Sequence, residues 1–215
     1  MDRLFKALDT YNALPPAERE SFEQSIWARL GQEKTVLVLD MSGFSRIARE
    51  KGIVFYLAMV RRMQHVSAPI VTACNGAVVK FEADNLFAVL DNPADALRCA
   101  IRINQALHAD NRRQQDEIAY IRVSIGIEHG RILLVPSKDF FSDVVNVAAK
   151  LGEDLADASE ILVGPEVASR LPKAARSPFE TRQFEISGIT IGALSLRLED
   201  GRDPGIELYE GTPLD

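Results

Sequence analysis

The chain has 215 residues, of which 47% are hydrophobic and 26% are charged. This composition is typical of a folded globular protein, and it excludes wholesale disorder, a collagen-like repeat and a coiled-coil rod. The length allows one sizeable core with small appendages. Because 25 basic residues stand against 31 acidic ones, the net charge of −6 gives the chain no general attraction for nucleic acid or for an anionic membrane.

The N-terminus and the hydrophobic segments predict where the protein works. Residues 1–6 lack the apolar run of a signal peptide, and no segment reaches the roughly 18 apolar residues that a spanning helix needs. Two cysteines, Cys74 and Cys99, are too few for a disulfide framework or a cysteine-based zinc site, so we expect them to be packing residues. We therefore expect a cytoplasmic protein that neither binds nucleic acid nor inserts directly into a membrane.

Residues 1–33 are predicted to form a short helical extension ahead of a main domain that covers residues 34–215. Pro15 and Pro16 divide the extension into two helices, since a proline is tolerated at a first helical turn, where its missing N–H has no partner. The second helix carries an apolar stripe that would pack on the main domain or on a second subunit. The stripe consists of Phe22, Ile26, Trp27 and Leu30.

The main domain mixes strand and helix patterns. An unbroken apolar run at its start predicts a strand buried on both faces, and a later pair of short apolar runs around a turn predicts a hairpin. The predicted strands are 36–39, 77–81, 86–90, 121–127, 160–163, 181–186, 191–198 and 205–209, and the predicted helical segments are 45–72, 141–158 and one that begins at Pro93. The order β-α-α-β-β-α-β predicts an α+β domain of ferredoxin-like type with extra C-terminal strands.

Two aspartates stand at positions that this topology brings to one edge of the sheet. Asp40 comes just past the first buried strand, and Asp84 lies in the turn of the neighbouring hairpin. Two adjacent carboxylates repel each other unless a cation or a proton separates them, and Mg²⁺ favours such ligands while leaving positions open for phosphate oxygens. Two local alternatives remain open, namely that Asp40 caps the following helix and that Asp84 shapes the turn.

Four blocks of the chain resemble, in the right order, the motifs of class III nucleotidyl cyclases, the family of adenylate and guanylate cyclases. Residues 36–45 (VLVLDMSGFS) are similar to the first metal block, and residues 78–88 (VVKFEADNLFA) are similar to the hairpin with the second metal ligand. Residues 125–130 (IGIEHG) and 139–150 (DFFSDVVNVAAK) resemble the two later blocks. The resemblance covers residues 35–163 and continues more weakly into the C-terminal strands. It implies the fold of a cyclase catalytic domain.

The resemblance implies an adenylate cyclase that converts ATP to 3′,5′-cyclic AMP and pyrophosphate. Asp40 and Asp84 would bind two Mg²⁺ or Mn²⁺ ions per site, with the carbonyl of Met41 as a backbone ligand. Phe44 and Ser45 would contact the substrate.

The same resemblance assigns four further residues. Lys80 and Asp139 fall where the family reads the purine edge, and this combination is the one that selects adenine. Asn146 would orient the ribose, and Lys150 would steady the phosphate charge in the transition state. In the family these residues and the metal-binding aspartates come from opposite partners, which implies a homodimer with two equivalent sites. The helical extension would then brace the dimer or receive a regulatory partner.

Three positions depart from the family pattern. Lys150 replaces an arginine and loses its two-pronged donor geometry, so we expect slower chemistry. Ala83 and Ser142 replace glycines, and Ala83 would strain the turn if that position requires a positive φ. Arg202 is a candidate for the cation that holds the triphosphate. Two alternatives therefore remain: a catalytically silent module that binds nucleotide, and a cyclase that acts on GTP or a pyrimidine nucleotide.

Overall fold

A mixed β-sheet of eight strands organises the part of the chain that the structure describes, which is residues 2–135, 138–186, 189–198, 200–206 and 208 of a computed structural model. The strands are β1 (Gly31–Met41), β2 (Ala77–Glu82), β3 (Asn85–Leu90), β4 (Val123–Val135), β5 (Asp139–Phe141), β6 (Glu160–Val163), β7 (Glu180–Ile186) and β8 (Ile189–Arg197). Their spatial order is β2-β3-β1-β4-β6-β8-β7, and β5 pairs with β4. The pair β4–β6 is parallel and the other pairs are antiparallel.

Seven α-helices connect and cover these strands in the described residues. They are α1 (Asp2–Ala13), α2 (Pro16–Leu30), α3 (Phe44–Lys51), α4 (Ile53–Ala73), α5 (Pro93–Asn111), α6 (Asp143–Ala149) and α7 (Pro165–Arg170). A π-helical turn over Lys150–Leu155 directly continues α6, and we call it the π turn. The order of β2, β3, β1 and β4 with crossings through α3–α4 and α5 confirms the predicted ferredoxin-like α+β core.

The central strand β1 divides the interior into two cores because its side chains alternate between the faces of the sheet. Leu37 and Leu39 belong to the larger core, which includes residues of α4 and α5. Val36 and Val38 belong to a smaller core together with Ala148 of α6. Asp40 continues the series of Val36 and Val38, so its side chain lies on the face that α6 and the π turn cover.

Two glycines allow the π turn to lie directly on the sheet. A Cβ atom on Gly126 of β4 would lie 2.1 Å from the carbonyl oxygen of Ala148, and one on Gly152 of the π turn would lie 2.7 Å from the carbonyl oxygen of Val38. Any larger residue at either position would force the turn away from β1 and β4. The close approach fixes where the residues of the π turn stand relative to Asp40.

Several predicted elements differ from the structure at their ends. The helix predicted over 141–158 is wrong in extent, because β5 ends at Phe141, α6 covers only Asp143–Ala149 and the π turn follows. The strand predicted at 205–209 is wrong for Gly205, Ile206 and Leu208, which have no regular structure, while Glu207 and Tyr209 lie outside the described residues. The strand predicted from residue 36 begins earlier, at Gly31.

The two predicted N-terminal helices are present, with Pro16 in the first turn of α2 as expected. Ile26 of the predicted apolar stripe is buried, and Trp27 packs against Arg131 of β4 with 4.7 Å between the guanidinium carbon and the ring centroid. Trp27 therefore faces the main domain, whereas Phe22, Ile26 and Leu30 of the stripe line a cavity between α2 and α1. None of the helices in the described residues is both long enough and apolar enough to span a membrane.

Candidate active site

Asp40 lies within β1 rather than past its end, which corrects the prediction from sequence. It is the second-last residue of the strand and stands opposite Ser124 of β4. The helix that follows begins at Phe44, with Gly43 before it in a left-handed conformation at φ 98°. Asp40 is therefore not the cap of that helix, which removes one of the two local alternatives.

Asp84 lies in the two-residue turn between β2 and β3, as predicted. Its neighbour Ala83 has a φ of 51°, so this position does require the left-handed conformation that a glycine adopts without strain. The hydroxyl of Tyr56 on α4 donates a hydrogen bond of 2.5 Å to the Asp84 Oδ2 atom. Tyr56 is buried and its ring makes an edge contact with Phe44, with 4.8 Å between the centroids. The second metal-binding candidate is thus held from α4.

An open cavity of about 530 Å³ brings the two aspartates together at this edge of the sheet. Its lining also includes the other predicted metal-site and substrate residues, Met41, Phe44 and Ser45, and adds Ser42, Gly43 and Arg46. The backbone amide of Ser42 already donates to the carbonyl of Arg122, so it is not free to hold a phosphate. We call Asp40, Met41, Phe44, Ser45 and Asp84 the carboxylate half-site.

Burial and like charge dominate the electrostatics of this half-site. Burial, followed by the charges of Asp84 and Glu153, raises the pKa of Asp40 from 3.8 to about 7. Burial and the contact with Asp84 also raise the pKa of the Tyr56 hydroxyl, which keeps it a donor. No ion pair to Asp40 or Asp84 occurs among the described residues. Two facing carboxylates without a basic partner form a donor set that suits hard divalent cations.

The predicted base-reading residues are in contact with each other. Lys80 Nζ lies 3.3 Å from Asp139 Oδ1, although the two residues stand on different strands, β2 and β5. Lys80 also pairs with Glu82 at 2.8 Å, and its amine lies 5.0 Å from the centroid of the Phe87 ring. The bond to Glu82, with a further contribution from Asp139, raises the pKa of Lys80, so its amine stays protonated. A cationic donor and a carboxylate acceptor thus stand side by side.

The two remaining predicted residues lie on α6 and the π turn. Asn146 is exposed on α6, and Lys150 begins the π turn, where its amine pairs with Asp154 at 2.5 Å. The adjacent Glu153 accepts a hydrogen bond of 2.9 Å from the side-chain amide of Asn85, next to the Asp84 turn. A π-helical distortion inside a helix is frequently a feature of functional sites. We call Lys80, Asp139, Asn146 and Lys150 the lysine half-site.

Lys80 contacts Asp139, and Asn146 and Lys150 follow four residues apart on α6 and the π turn, but none of these four residues lines the cavity of Asp40 and Asp84. Ser142, which stands where the family has a glycine, has an extended backbone and accepts a hydrogen bond from the amide of Val145 at 3.3 Å. It therefore acts as the N-cap of α6. Arg202 pairs with Asp200 at 2.7 Å, has a side chain that is 86% exposed and does not line the cavity.

Sequence reasoning missed three residues of the site: Tyr56, Glu153 and Asp154. The pairing of Lys150 with Asp154 could have been predicted from the sequence, because side chains four residues apart on a helix lie next to each other. Glu153 follows only from the π turn, which shifts the side chains after Lys150 out of ordinary helical phase. The contact of Tyr56 with Asp84 joins residues 28 positions apart, and no local pattern signals it.

Comparison with known proteins identifies the class to which this fold and site correspond. The chain is similar to the protein named "Putative adenylate cyclase 3" of Rhizobium meliloti (strain 1021), with 30% identity over 141 residues that cover 66% of this chain and 23% of that protein. Among solved structures it is similar to an adenylate/guanylate cyclase/hydrolase from Silicibacter pomeroyi, with a TM-score of 0.65 and 26% identity over 78% of this chain and 97% of the other.

The guanylyl cyclase Cya2 shares the fold with a TM-score of 0.67, at 14% identity over 77% of this chain and 91% of the other. No protein-family model matches the chain. The chain spans about a quarter of the length of the curated relatives it matches, 23% and 26%. On its sequence relatives and its fold, the chain belongs to the class III nucleotidyl cyclase family.

Proposed function

We propose that residues 34–215 form the catalytic domain of an adenylate cyclase, which converts ATP to 3′,5′-cyclic AMP and pyrophosphate in the cytoplasm, and that residues 1–33 are an extension of it. The observation that carries this proposal is the carboxylate half-site, where Asp40 and Asp84 face one cavity with no basic partner among the described residues. Such a site accommodates two Mg²⁺ or Mn²⁺ ions, with Met41 in reach as a backbone ligand. The ions would supply activation of the ribose 3′-hydroxyl and charge neutralisation on the triphosphate.

In the proposed reaction the 3′-oxygen of ATP attacks the α-phosphorus, the bond to the β-phosphate oxygen breaks, and the hydroxyl proton leaves to solvent. Asp40 and Asp84 would hold the ions, and Tyr56 holds the Asp84 carboxylate in place. Ser45 and Phe44 at the start of α3 line the same cavity and would contact the substrate there. Fixed positions of these groups on the strand edge, the hairpin turn and the start of α3 limit the freedom of the reacting groups, which favours in-line geometry.

The lysine half-site supplies base selection and charge stabilisation in this proposal. The amine of Lys80 donates to the ring nitrogen of adenine, and Asp139 accepts from its exocyclic amine, which their 3.3 Å separation allows them to do together. Asn146 orients the ribose. Lys150 exchanges its contact with Asp154 for the phosphates as negative charge develops.

We propose that the active form is a homodimer in which each site combines the carboxylate half-site of one copy with the lysine half-site of the other. The π turn lies close enough for the charges of Glu153 and Asp154 to act on Asp40, but none of the four lysine half-site residues lines the cavity of the two aspartates, which supports this arrangement. Apolar side chains are also exposed on the two helices that follow β1: Phe44, which lines the cavity, is 48% exposed, and Ile53, Val54 and Leu57 of α4 are more exposed still. A second copy would cover this apolar surface.

A catalytically silent nucleotide-binding module is the second candidate. It is favoured by the engagement of Lys150 with Asp154 and by the strained φ of 51° at Ala83. Both features weaken a site that the family builds with arginine and glycine, so a domain that binds nucleotide without turnover is the alternative outcome.

The test is product formation from ATP, GTP, CTP and UTP with Mn²⁺, at a concentration where the protein is dimeric, beside an Asp40→Ala control. Cyclic AMP that disappears in the control supports the proposal and the metal site together. Another cyclic nucleotide contradicts the assignment of Lys80 and Asp139. No product from any nucleotide, combined with retained nucleotide binding, establishes the silent module.

A further inference from the structure

The helices α1 and α2 enclose a cavity of about 670 Å³ at the end of β1 that is remote from Asp40 along the strand. One wall is apolar and consists of Phe22, Ile26 and Leu30 on α2. Its volume falls within the range of about 300–1,000 Å³ that is typical of small-molecule sites. The cavity is separate from the candidate active site, and no role in the proposed reaction falls to its lining residues.

Three basic side chains, Arg3, Lys6 and Arg29, stand around this apolar wall, and no acidic residue lines the cavity. Within the described part of the chain, none of the three takes part in an ion pair. The chain as a whole carries a net charge of −6. A cluster of unpaired positive charge is therefore a local exception, and it creates a potential that attracts an anion.

The neutral polar groups of the cavity are already engaged. The hydroxyl of Ser25 donates to the carbonyl of Phe22 at 2.7 Å, and that of Thr10 donates to the carbonyl of Lys6 at 2.9 Å. Recognition of a polar head group consequently falls to the three cations. An uncharged apolar molecule would gain nothing from these cations, and a small inorganic anion would leave the partly exposed Phe22 and Leu30 in contact with water.

We propose that the α1–α2 cavity is a binding site for a single-chain amphiphilic anion. Its acidic head group contacts Arg3, Lys6 and Arg29, and its hydrocarbon chain covers Phe22, Ile26 and Leu30. This proposal is independent of the cyclase proposal, because neither the ligand nor its site touches the half-sites.

The position of the cavity connects it to the centre of the sheet. Leu30 in its wall is followed directly by Gly31, the first residue of β1. One turn earlier, Trp27 packs against Arg131 of β4. A bound ligand therefore contacts the helix that is joined to both central strands. Trp27 is also the single tryptophan of the chain, so its fluorescence reports on the helix that forms the apolar wall of the cavity.

The test is a titration of the full chain with dodecanoate below its micellar concentration, read by Trp27 fluorescence and by isothermal calorimetry. We expect saturable binding of one molecule per chain. The triple variant Arg3→Gln, Lys6→Gln and Arg29→Gln should raise Kd about 10-fold or more, because several charge contacts are lost together. The variant Lys173→Gln, at an exposed lysine on another face, is the matched control and should leave Kd unchanged.

Three comparison ligands separate the contribution of the acidic head group from that of the hydrocarbon chain. Dodecanol, which lacks the charge, and acetate, which lacks the chain, should each bind at least about 10-fold more weakly than dodecanoate. Dodecyl phosphate beside dodecanoate decides whether the head group is a phosphate or a carboxylate. The proposal is overturned by absence of saturable binding to both amphiphiles, by equal affinity for dodecanol, or by an unchanged Kd in a triple variant whose circular dichroism shows it folded.

Discussion

The carboxylate half-site and the lysine half-site balance their charges in opposite ways. Asp40 and Asp84 face each other, and their mutual repulsion, added to burial, raises the pKa of Asp40 to about 7. In the other half-site, Lys80 already pairs with Glu82 and Asp139, and Lys150 pairs with Asp154. One region holds carboxylates without an ion-pair partner among the described residues, whereas the other already pairs its lysines with carboxylates.

This difference shows which steps each region controls. In the proposed enzyme, the repulsion within the carboxylate half-site would be relieved when divalent ions arrive with the substrate. The lysine half-site has its charges balanced in the free protein by ion pairs that are at least partly exposed, and such pairs add little to stability. Substitutions in the first region should therefore abolish metal binding, and substitutions in the second should change rate and selectivity while metal binding persists.

The largest effect is expected from removing a carboxylate. Asp84→Ala should lower cyclic AMP formation by about 1,000-fold and abolish Mn²⁺ binding. The ions give up bound water when they enter the site, and the single carboxylate that remains cannot compensate two ions for that loss. Initial rates with ATP and calorimetric Mn²⁺ titration measure the two quantities. Asp91→Asn, at an acid whose side chain is 70% exposed, is the control and should leave both unchanged. Retained Mn²⁺ affinity in Asp84→Ala would remove Asp84 from the metal site.

Removing the lysine on the π turn should have the second largest effect. Lys150→Ala should lower kcat by about 100-fold with little change in Mn²⁺ binding, because the lost charge acts on the transition state. The kcat of Lys150→Arg should equal or exceed that of the wild type, since the guanidinium group of arginine has several N–H donors and can contact Asp154 and a phosphate oxygen together. Steady-state kinetics of both variants decide the point. Equal kcat in Lys150→Ala and wild type would assign Lys150 a structural role only.

Selectivity should change more modestly when the base-reading pair is altered. Asp139→Asn replaces an acceptor-only group by an amide and should lower the ratio of kcat/KM for ATP over GTP by about 10-fold. Lys173→Gln is again a surface control that should leave the ratio unchanged. Competition between ATP and GTP in one reaction measures the ratio directly. An unchanged ratio together with unchanged activity would mean that the base is read elsewhere.

The smallest effect concerns stability without metal. The raised pKa of Asp40 means that the folded protein holds this proton more tightly than the unfolded chain does, so the wild type loses stability as pH rises from about 4 to about 7. Asp40→Asn removes this loss. The Tm of Asp40→Asn should therefore exceed that of the wild type in EDTA. The difference should grow to a few degrees as pH rises from about 4 to about 7, and it should stay constant above about pH 7. A gain that is independent of pH would contradict the assigned repulsion.

The strand and turn positions of the site were predictable because local patterns determine them. The apolar run of β1 and the hairpin around Asp84 are short-range signals, and antiparallel pairing of neighbouring strands then brings Asp40 and Asp84 to one edge. That Ala83 stands where the family has a glycine came from the resemblance, with strain expected if the position needs a positive φ, and the φ of 51° meets that condition.

The rest depends on contacts that no local pattern encodes. The π turn forms where Gly152 packs against Val38, so it reflects tertiary packing and not helix propensity. The bond between Tyr56 and Asp84 joins α4 to the hairpin across the site. The mistaken strand at 205–209 came from an apolar pattern, and Ile206 and Leu208 are indeed buried, but they are buried without strand pairing.

The pairing of β1 determines what kind of motion regulation of this domain can use. The strand is hydrogen-bonded to β3 on one side and to β4 on the other, and its neighbouring side chains belong to two different cores. If β1 shifted by one residue against β3 and β4, Leu39 would take the place of Asp40, and every side chain of the strand would move to the opposite face of the sheet. Both cores would then be disrupted, so we expect the register of β1 to stay fixed. In the proposed homodimer, a signal that arrives through α2 would therefore move the sheet as one body. It would change the gap between the half-sites of the two copies, while the geometry inside each half-site stays constant.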